Sequence, residues 1–271
     1  MPHLCNMEII AYLASVFIGL SLGLIGGGGS ILTVPVMVYL FGITPLLATS
    51  YSLFIVGSTS LLGGYQHWKQ GLVNGKAVLY FGLSSIITVF VVRKYLLPLI
   101  PPHLFSVADF SVTTNLVTML LFAILMVAAA LSMIREHGSD SFNTSGTSGR
   151  AVKLLLYGVG IGLATALLGA GGGFLLIPVL VMLLRLPMKK AVGTSLMIIA
   201  LNSLIGFVGD LGHHQIDWYF LLKITAIAIS GLLLGLYLSR NIDGAKLKKS
   251  FGWFVLFMGV FIIIKELLPI I

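Results

Sequence analysis

Two runs of consecutive glycines are the residues of this chain whose type and spacing best predict a binding site. The first run is Gly26-Gly27-Gly28-Gly29-Ser30 ahead of Pro35, and the second is Gly169-Ala170-Gly171-Gly172-Gly173 ahead of Pro178. Glycine disfavours helix by about 1 kcal/mol per residue, so each run predicts a break in an otherwise apolar helical segment. A helix that restarts after a break presents free N–H groups and the positive end of its dipole, which suits an anion. Close packing of helices through small residues is the open alternative.

The two glycine runs belong to an internal repeat. Gly26 and Gly169 are 143 positions apart, as are Pro35 and Pro178, and 19 of the 58 residue pairs between Ile18–Gly75 and Ile161–Trp218 are identical. Transporters are often built from two repeats whose broken helices meet near the middle of the membrane. The repeat therefore predicts that the two runs contribute to one site.

Polar side chains on one segment of each half extend this candidate site. For any single Ser or Thr, the alternative is a hydrogen bond to a carbonyl of its own helix. Ser52 and Ser195 gain weight because they are identical across the repeat. The predicted substrate-binding residues are Gly26, Gly27, Gly28, Gly29, Ser30, Ser52, Gly169, Gly171, Gly172, Gly173, Thr194, Ser195 and Asn202.

The acidic residues indicate the charge of the ligand. The chain has 8 Asp and Glu residues, and none of them falls in the middle of an apolar segment. Sites for cations and protons in membranes usually rely on an embedded carboxylate, so backbone N–H groups and hydroxyls predict a small anionic substrate. His67 and Asp210 occupy equivalent repeat positions at segment ends, where they could gate or couple transport. A solvated loop position is the alternative for both residues.

Metal, enzyme and cofactor chemistry are not expected. His213 and His214, followed by Asp217, do not predict a metal site, because adjacent ligands point apart on regular structure and no Cys completes the set. Ser30 as the nucleophile of an intramembrane enzyme would lack both a Gly-x-Ser-x-Gly motif and an intramembrane histidine base. The chain also has no Gly-x-x-x-x-Gly-Lys-[Ser/Thr] motif, so no ATPase activity is predicted.

The composition places these residues in a membrane. Of the 271 residues, 58% are hydrophobic and 9% are charged, against about 25% charged in soluble domains. A polytopic membrane protein follows, with the lipid bilayer as its surroundings. The net charge of +8 comes from Lys and Arg between the apolar segments, as in cytoplasmic loops, so nucleic acid is not an expected partner. Cys5 is the single cysteine, which excludes a disulfide within the chain.

The apolar segments predict an all-α polytopic membrane protein with two inverted repeats, each a Gly-broken helical hairpin plus three transmembrane helices. The first membrane repeat spans 1–134, a polar cytoplasmic linker spans 135–151, and the second membrane repeat spans 152–271. The predicted segments are Ile9–Ile25, Ser30–Phe41, Leu46–Tyr65, Ala77–Val92, Val112–Ile134, Val152–Leu168, Phe174–Leu184, Ala191–Val208, Trp218–Leu238 and Phe251–Leu268.

The inverted orientation follows from the basic residues. Clusters that contain Lys69, Arg135, Arg185 and Arg240 are expected on the cytoplasmic side. Each half then crosses the membrane an odd number of times, so the second half enters from the opposite face. Arg93 and Lys94 fall on the outer side and oppose this scheme, unless they snorkel from a helix end.

The motifs resemble those of a known family. Leu22-Gly-Leu-Ile-Gly-Gly-Gly-Gly-Ser-Ile-Leu-Thr-Val-Pro35, its echo Leu168–Pro178, and Ala191-Val-Gly-Thr-Ser-Leu196 are similar to those of the sulfite exporter TauE/SafE permeases. The resemblance implies a multi-pass protein of the cell inner membrane that moves sulfite, organosulfonates or related anions. We therefore predict a secondary transporter that works by alternating access. A passive anion channel and a permease for another small anion are the alternatives, and a homo-oligomer is compatible with the sequence.

Overall fold

The computed structural model describes residues 2–99, 101, 103–107, 110–134, 147–169, 173–184, 186–213, 215–239 and 244–268. The helices lie where the apolar segments predict them, five in each half. The first half contains α1 (Pro2–Ile25), a 3-10 segment (Gly26–Leu32), α2 (Thr33–Tyr39), α3 (Pro45–Lys69), α4 (Gly75–Val91) and α5 (Thr114–Ile134). The second half contains α6 (Thr147–Leu168), α7 (Gly173–Leu184), α8 (Met188–Asp210), α9 (Trp218–Leu238) and α10 (Gly244–Leu267).

The ends of several helices and the connections between them differ from the sequence prediction. Helix α4 continues through a π turn (Val92–Leu96) and a 3-10 turn (Leu97–Leu99). A short antiparallel ribbon of β1 (His103–Val107) and β2 (Phe110–Thr113) then leads to α5. Its Phe and Val residues favour strands, but such short runs carry too little periodicity to be distinguished from helix. Helix α6 begins at Thr147, inside the predicted linker, and residues 135–146 lie outside the described part of the chain.

Equivalent caps begin α4 and α9. The side chain of Asn74 accepts a hydrogen bond from the N–H of Ala77, and the side chain of Asp217 accepts one from the N–H of Phe220. Both pairs are related by the offset of 143 residues. An N-cap of this kind stabilises a helix by about 1 kcal/mol. The repeat therefore includes the N-cap residues at which its helices begin.

The helices pair in a way that respects the repeat. Helix α1 packs along α9, and its repeat equivalent α6 packs along α4, the equivalent of α9. Helices α3 and α8 pack on each other, as do α5 and α10. Gly19 lies against the backbone of Ala228, and the equivalent residue Gly162 lies against the backbone of Ser85. Equivalent helices of the two halves thus make equivalent packing contacts.

Helices α3 and α8 run antiparallel along their full lengths. A Cβ added at Gly206 would lie 3.2 Å from Cδ1 of Leu53, and one added at Gly63 would lie 3.2 Å from Cδ1 of Leu196. Adding the repeat offset of 143 residues converts Leu53 into Leu196 and Gly63 into Gly206, so the two contacts are equivalent. Residue numbers therefore fall along α8 as they rise along α3. The C-terminal end of α3 meets the N-terminal end of α8, and a Cβ at Gly193 would lie 2.8 Å from Cβ of His67.

Four helical segments are long and apolar enough to cross a membrane, counted over the described residues: Pro45–Lys69, Gly75–Leu99, Met188–Asp210 and Trp218–Leu238. Large apolar side chains such as Leu83, Ile87 and Phe257 are exposed on the outside of the bundle. Buried hydroxyl and amide side chains instead lie on α3 and α8. This distribution, apolar outside and polar inside, suits a protein that is surrounded by lipid.

Cysteine accessibility tests the antiparallel packing. In a Cys5→Ser background, Lys69→Cys and Lys189→Cys place thiols at one end of the bundle, and Lys94→Cys places one at the other end. We expect an impermeant maleimide to label Lys94→Cys in intact cells, and the other two positions only after permeabilisation, because clusters of Lys and Arg are expected on the cytoplasmic side. Labelling of Lys69→Cys and Lys189→Cys from opposite sides would contradict the packing.

Candidate functional site

Both predicted helix breaks begin at a glycine with a left-handed backbone. Helix α1 ends at Ile25 and is followed by Gly26 with φ 73°, and α6 ends at Leu168 and is followed by Gly169 with φ 66°. Only glycine adopts this conformation at little cost. A Cβ on Gly26 would lie 2.8 Å from Cγ1 of Val192, and one on Gly169 would lie 2.5 Å from Cα of Thr49. Val192 and Thr49 are also repeat equivalents, so each break abuts the same position of the opposite half.

The two breaks meet in the interior of the bundle. A Cβ on Gly27 would lie 2.6 Å from Cα of Gly173, and one on Gly173 would lie 2.5 Å from Cα of Gly27. The two backbones therefore touch with no side chain between them. Cδ1 of Ile199, on α8, also lies 2.6 Å from the position of a Gly27 Cβ. The structure thus brings together the two runs that the sequence set 143 residues apart.

After Gly26, the rest of the first glycine run remains helical, in a 3-10 conformation. Gly27, Gly28, Gly29 and Ser30 all lie in the 3-10 segment, where the hydroxyl of Ser30 donates to the carbonyl of Gly27 at 2.8 Å. The expectation of a fully broken helix is therefore met only at Gly26, because 3-10 geometry lets the backbone keep its hydrogen bonds inside an apolar medium. Gly171 and Gly172 lie outside the described residues, and Gly173 begins α7.

Two of the predicted polar residues on α8 have structural partners. The hydroxyl of Thr194 donates to the carbonyl of Lys190 at 2.6 Å and accepts from the N–H of Asn74 at 2.9 Å. The hydroxyl of Ser195 donates to the carbonyl of Val192 at 2.8 Å. Both hydroxyls therefore donate to a carbonyl of their own helix, which is the alternative that the sequence left open. The hydroxyl of Thr194 also accepts a hydrogen bond from the neighbouring loop.

Other buried polar groups have no partner. The hydroxyls of Ser52, Ser60 and Ser203 lack a hydrogen bond within the part of the chain that the structure describes, although all three are buried. Asn202 donates from Nδ2 to Oγ of Ser85 at 2.6 Å and leaves its Oδ1 unpaired. Each such group costs about 1–3 kcal/mol unless a ligand or water satisfies it. The interior along α3 and α8 therefore retains free hydrogen-bonding capacity.

The two predicted gating residues lie at opposite ends of the α3–α8 pair. His67 is half-buried, and its Nδ1 lies 2.9 Å from the carbonyl oxygen of Gly63. Asp210 is only 4% exposed, so the alternative of a solvated loop position is wrong for this residue. It accepts hydrogen bonds from the hydroxyl of Ser50 and from Nη1 of Arg93, the latter at 2.7 Å.

Arg93 is the residue that the sequence prediction misjudged. The sequence places it at the outer end of a helix, where snorkelling would reconcile it with the charge topology, but it is 1% exposed and held in the interior by its ion pair with Asp210. A buried guanidinium is stable only with a partner, and this partner lies on another helix, 117 positions along the chain. One feature of the sequence could have indicated this pair: the distribution of Lys and Arg predicts that Arg93 and the C-terminal end of α8 lie on the same, outer side of the membrane. The ion pair also means that one carboxylate is buried, with its charge balanced by the arginine.

Comparison with known proteins identifies the family. The model of the sulfite exporter TauE/SafE family matches residues 11–262, so the chain belongs to this family and is an integral membrane protein. A probable membrane transporter protein of Xylella fastidiosa is 27% identical over 251 residues, which cover 91% of each chain. The probable membrane transporter protein YunE of Bacillus subtilis is 28% identical over 86% of this chain and 90% of its own. No solved structure gives a significant match.

Alanine at two left-handed glycines tests whether the break at Gly169 is packed as described. Gly42 has φ 67° and open space around its Cα, so Gly42→Ala measures backbone strain alone, about 1–2 kcal/mol. Gly169→Ala adds a collision with Thr49, and we expect it to cost a further 1–3 kcal/mol, roughly. Thermal unfolding of the purified variants in detergent measures both changes. Equal losses of stability would contradict the close contact.

Proposed function

We propose that this chain is a secondary transporter of small sulfur oxyanions such as sulfite or organosulfonates. The observation that carries the proposal is the interior along α3 and α8 beside the two glycine breaks, where the hydroxyls of Ser52, Ser60 and Ser203 are buried without a hydrogen-bond partner among the described residues. A small oxyanion offers several acceptor oxygens, which suits hydroxyl donors and backbone N–H groups. The family description names sulfite export, which supports the same class of substrate.

The buried charges favour an anion over a cation. Asp210 is the buried carboxylate of the described residues, and its charge is balanced by Arg93 at 2.7 Å. A cation or proton site normally needs a carboxylate that is free to bind or titrate. The paired Asp210 supplies no such free charge, so hydroxyls, backbone and arginine dominate the interior. We accordingly place an anionic substrate, and no metal or cofactor, in this site.

Alternating access between two inverted repeats is the mechanism that we propose. The antiparallel contact of α3 with α8 supports it, because equivalent helices that run in opposite directions are those expected of an inverted repeat in a membrane. A rocking motion of one half against the other would open the glycine breaks to each side in turn. The membrane potential supplies about 2.3 kcal/mol per charge per 100 mV for the exit of an anion from a negative interior. The chain is, in this proposal, a multi-pass carrier of the cytoplasmic membrane without catalytic activity.

Uptake into liposomes tests the proposal. Purified protein is reconstituted and challenged with radiolabelled sulfite, in competition with sulfate, thiosulfate, sulfoacetate and chloride. We expect saturable uptake that sulfonates inhibit, and stimulation by unlabelled sulfite inside the liposomes. Uptake without saturation or counterflow would favour a passive channel. Absence of flux for every sulfur anion, in a folded sample, would refute the proposed substrate class.

Alanine substitutions on α3 and α8 test the location of the site. Ser52→Ala and Ser203→Ala each remove a buried hydroxyl that has no partner among the described residues, so we expect the KM for sulfite to rise by about tenfold. Ser230→Ala is the control, because Ser230 is exposed on α9 and its hydroxyl only donates to the carbonyl of Ile227. An unchanged KM in both interior variants would move the site away from α3 and α8.

A further inference from the structure

The ion pair with Asp210 uses only one of the three guanidinium nitrogens of Arg93. Only Nη1 contacts Asp210, and Oγ of Ser50 lies 3.5 Å from the same nitrogen. Nε and Nη2 are buried and have no hydrogen-bond partner within the described ranges. We propose that Arg93 recognises the substrate, and that its Nε and Nη2 bind two oxygens of one oxyanion. This inference rests on the proposed function and adds a residue to its site.

The geometry of the guanidinium group supports a two-point contact. Nε–H and Nη2–H lie side by side on one edge of the planar group and point in nearly the same direction, which is the fork that binds carboxylate, phosphate and related anions. Asp210 approaches the group at Nη1, so the fork is left intact. A structural ion pair of Arg with Asp would normally use this fork, because two parallel hydrogen bonds are stronger than one. The single contact at Nη1 therefore orients the guanidinium group and leaves Nε–H and Nη2–H available to a ligand.

The burial of Arg93 makes an empty fork costly. The side chain is fully enclosed in an apolar bundle, and a charged donor without a partner in such surroundings loses more free energy than a neutral one. Cβ of Arg93 lies 3.2 Å from the position that a Cβ on Gly209 would occupy, which fixes the stem of the side chain against α8. The rigid stem and the Nη1 contact hold the fork in one place.

Arg93 also lies beside the second glycine break. Its Nη1 is next to Ser50 on α3, and the preceding residue, Thr49, is in direct backbone contact with Gly169. The guanidinium group and Gly169 therefore contact consecutive residues of α3. An oxyanion at this break would meet both the guanidinium fork and the neighbouring backbone. The arginine thus belongs to the same interior as the predicted glycine site.

The repeat does not duplicate this arrangement. The positions equivalent to Arg93, Ser50 and Asp210 are Leu236, Gly193 and His67, respectively, so the other end of the α3–α8 pair has neither the cation nor the carboxylate. An ion pair that only joined helices would serve equally well at both ends of a symmetrical bundle. Asp210 also offsets part of the attraction for the anion, which allows release as well as binding. One recognition point at one end is consistent with a directional carrier.

Oxyanion binding to the purified protein tests the assignment. Wild-type protein and three variants are heated in detergent with sulfite, sulfate, phosphate, nitrate or chloride, and the rise in Tm at increasing concentration gives the apparent Kd. The variants are Arg93→Lys, which keeps the charge and loses the fork, Asp210→Asn, which keeps the fork and loses the carboxylate, and Lys94→Gln. Lys94 is the matched control, since it is an exposed cation on the same turn. The KM for sulfite uptake is measured on the same four proteins.

We expect at least one oxyanion to stabilise the wild type more strongly than chloride does, because an oxyanion offers a separate oxygen to each N–H of the fork, whereas chloride offers one acceptor to both. Arg93→Lys should raise Kd and KM by about tenfold or more, while Lys94→Gln changes neither. Asp210→Asn should bind the oxyanion at least as tightly as the wild type, because the cation gains a free charge. A purely structural ion pair would instead make the Arg93→Lys and Asp210→Asn variants equally unstable with unchanged Kd, and that result overturns the assignment.

The outcomes separate this inference from the proposed function. If sulfite is transported and Arg93→Lys has the KM of the wild type, the role of Arg93 is refuted and the transporter stands. If no sulfur anion is transported but an oxyanion stabilises the wild type and not Arg93→Lys, the substrate class is wrong and the Arg93 site stands. If no oxyanion stabilises the wild type, the Arg93 site is refuted. Should Arg93→Lys fail to fold, the comparison of oxyanions with chloride on the wild type and on Asp210→Asn decides the same question.

Discussion

The antiparallel contact between α3 and α8 is the interaction on which the rest of the bundle depends. Glycines at equivalent positions, Gly63 and Gly206, let leucines of the opposite helix approach, so the two helices lie close together over their length. The contact places the C-terminal end of α3 beside the N-terminal end of α8, and it fixes the relative direction of the two halves. The glycine breaks reach the interior on either side of this pair, where Gly27 and Gly173 touch.

The interior of this bundle is polar because its surroundings are apolar. In a bilayer an unpaired polar group on the outside is expensive, whereas the same group inside can be satisfied by a substrate. The hydroxyls of Ser52, Ser60 and Ser203 and the fork of Arg93 all follow this rule, as all are buried and lack partners among the described residues. Such groups tend to be retained where they serve a ligand, since packing alone would favour apolar side chains. Asp210, the buried carboxylate of the described residues, is already paired with Arg93 and is not free to bind a cation, so we propose that this ligand is an anion.

Individual residues show how far the sequence prediction reached. The break after Ile25 and the break after Leu168 were predictable, because consecutive glycines oppose helix wherever they occur. The wound 3-10 course from Gly27 to Leu32 was not predictable, since it depends on the space left between α1, α7 and α8. Thr194 and Ser195 are also predicted as binding residues, and in the structure their hydroxyls donate to carbonyls of their own helix. Ser52, predicted by the same reasoning, keeps a free hydroxyl.

The sequence by itself determined the membrane class, the ten helices, the internal repeat, the two glycine breaks and the family, because hydrophobicity, glycine content and repeat spacing are local properties of the chain. Only the tertiary structure decided which polar groups are satisfied and which remain free. Arg93 illustrates the difference: its role follows from Asp210 and Ser50, which lie on two other helices and are distant in sequence. A pairing across helices depends on how three segments pack, and the spacing within any one segment does not contain that information.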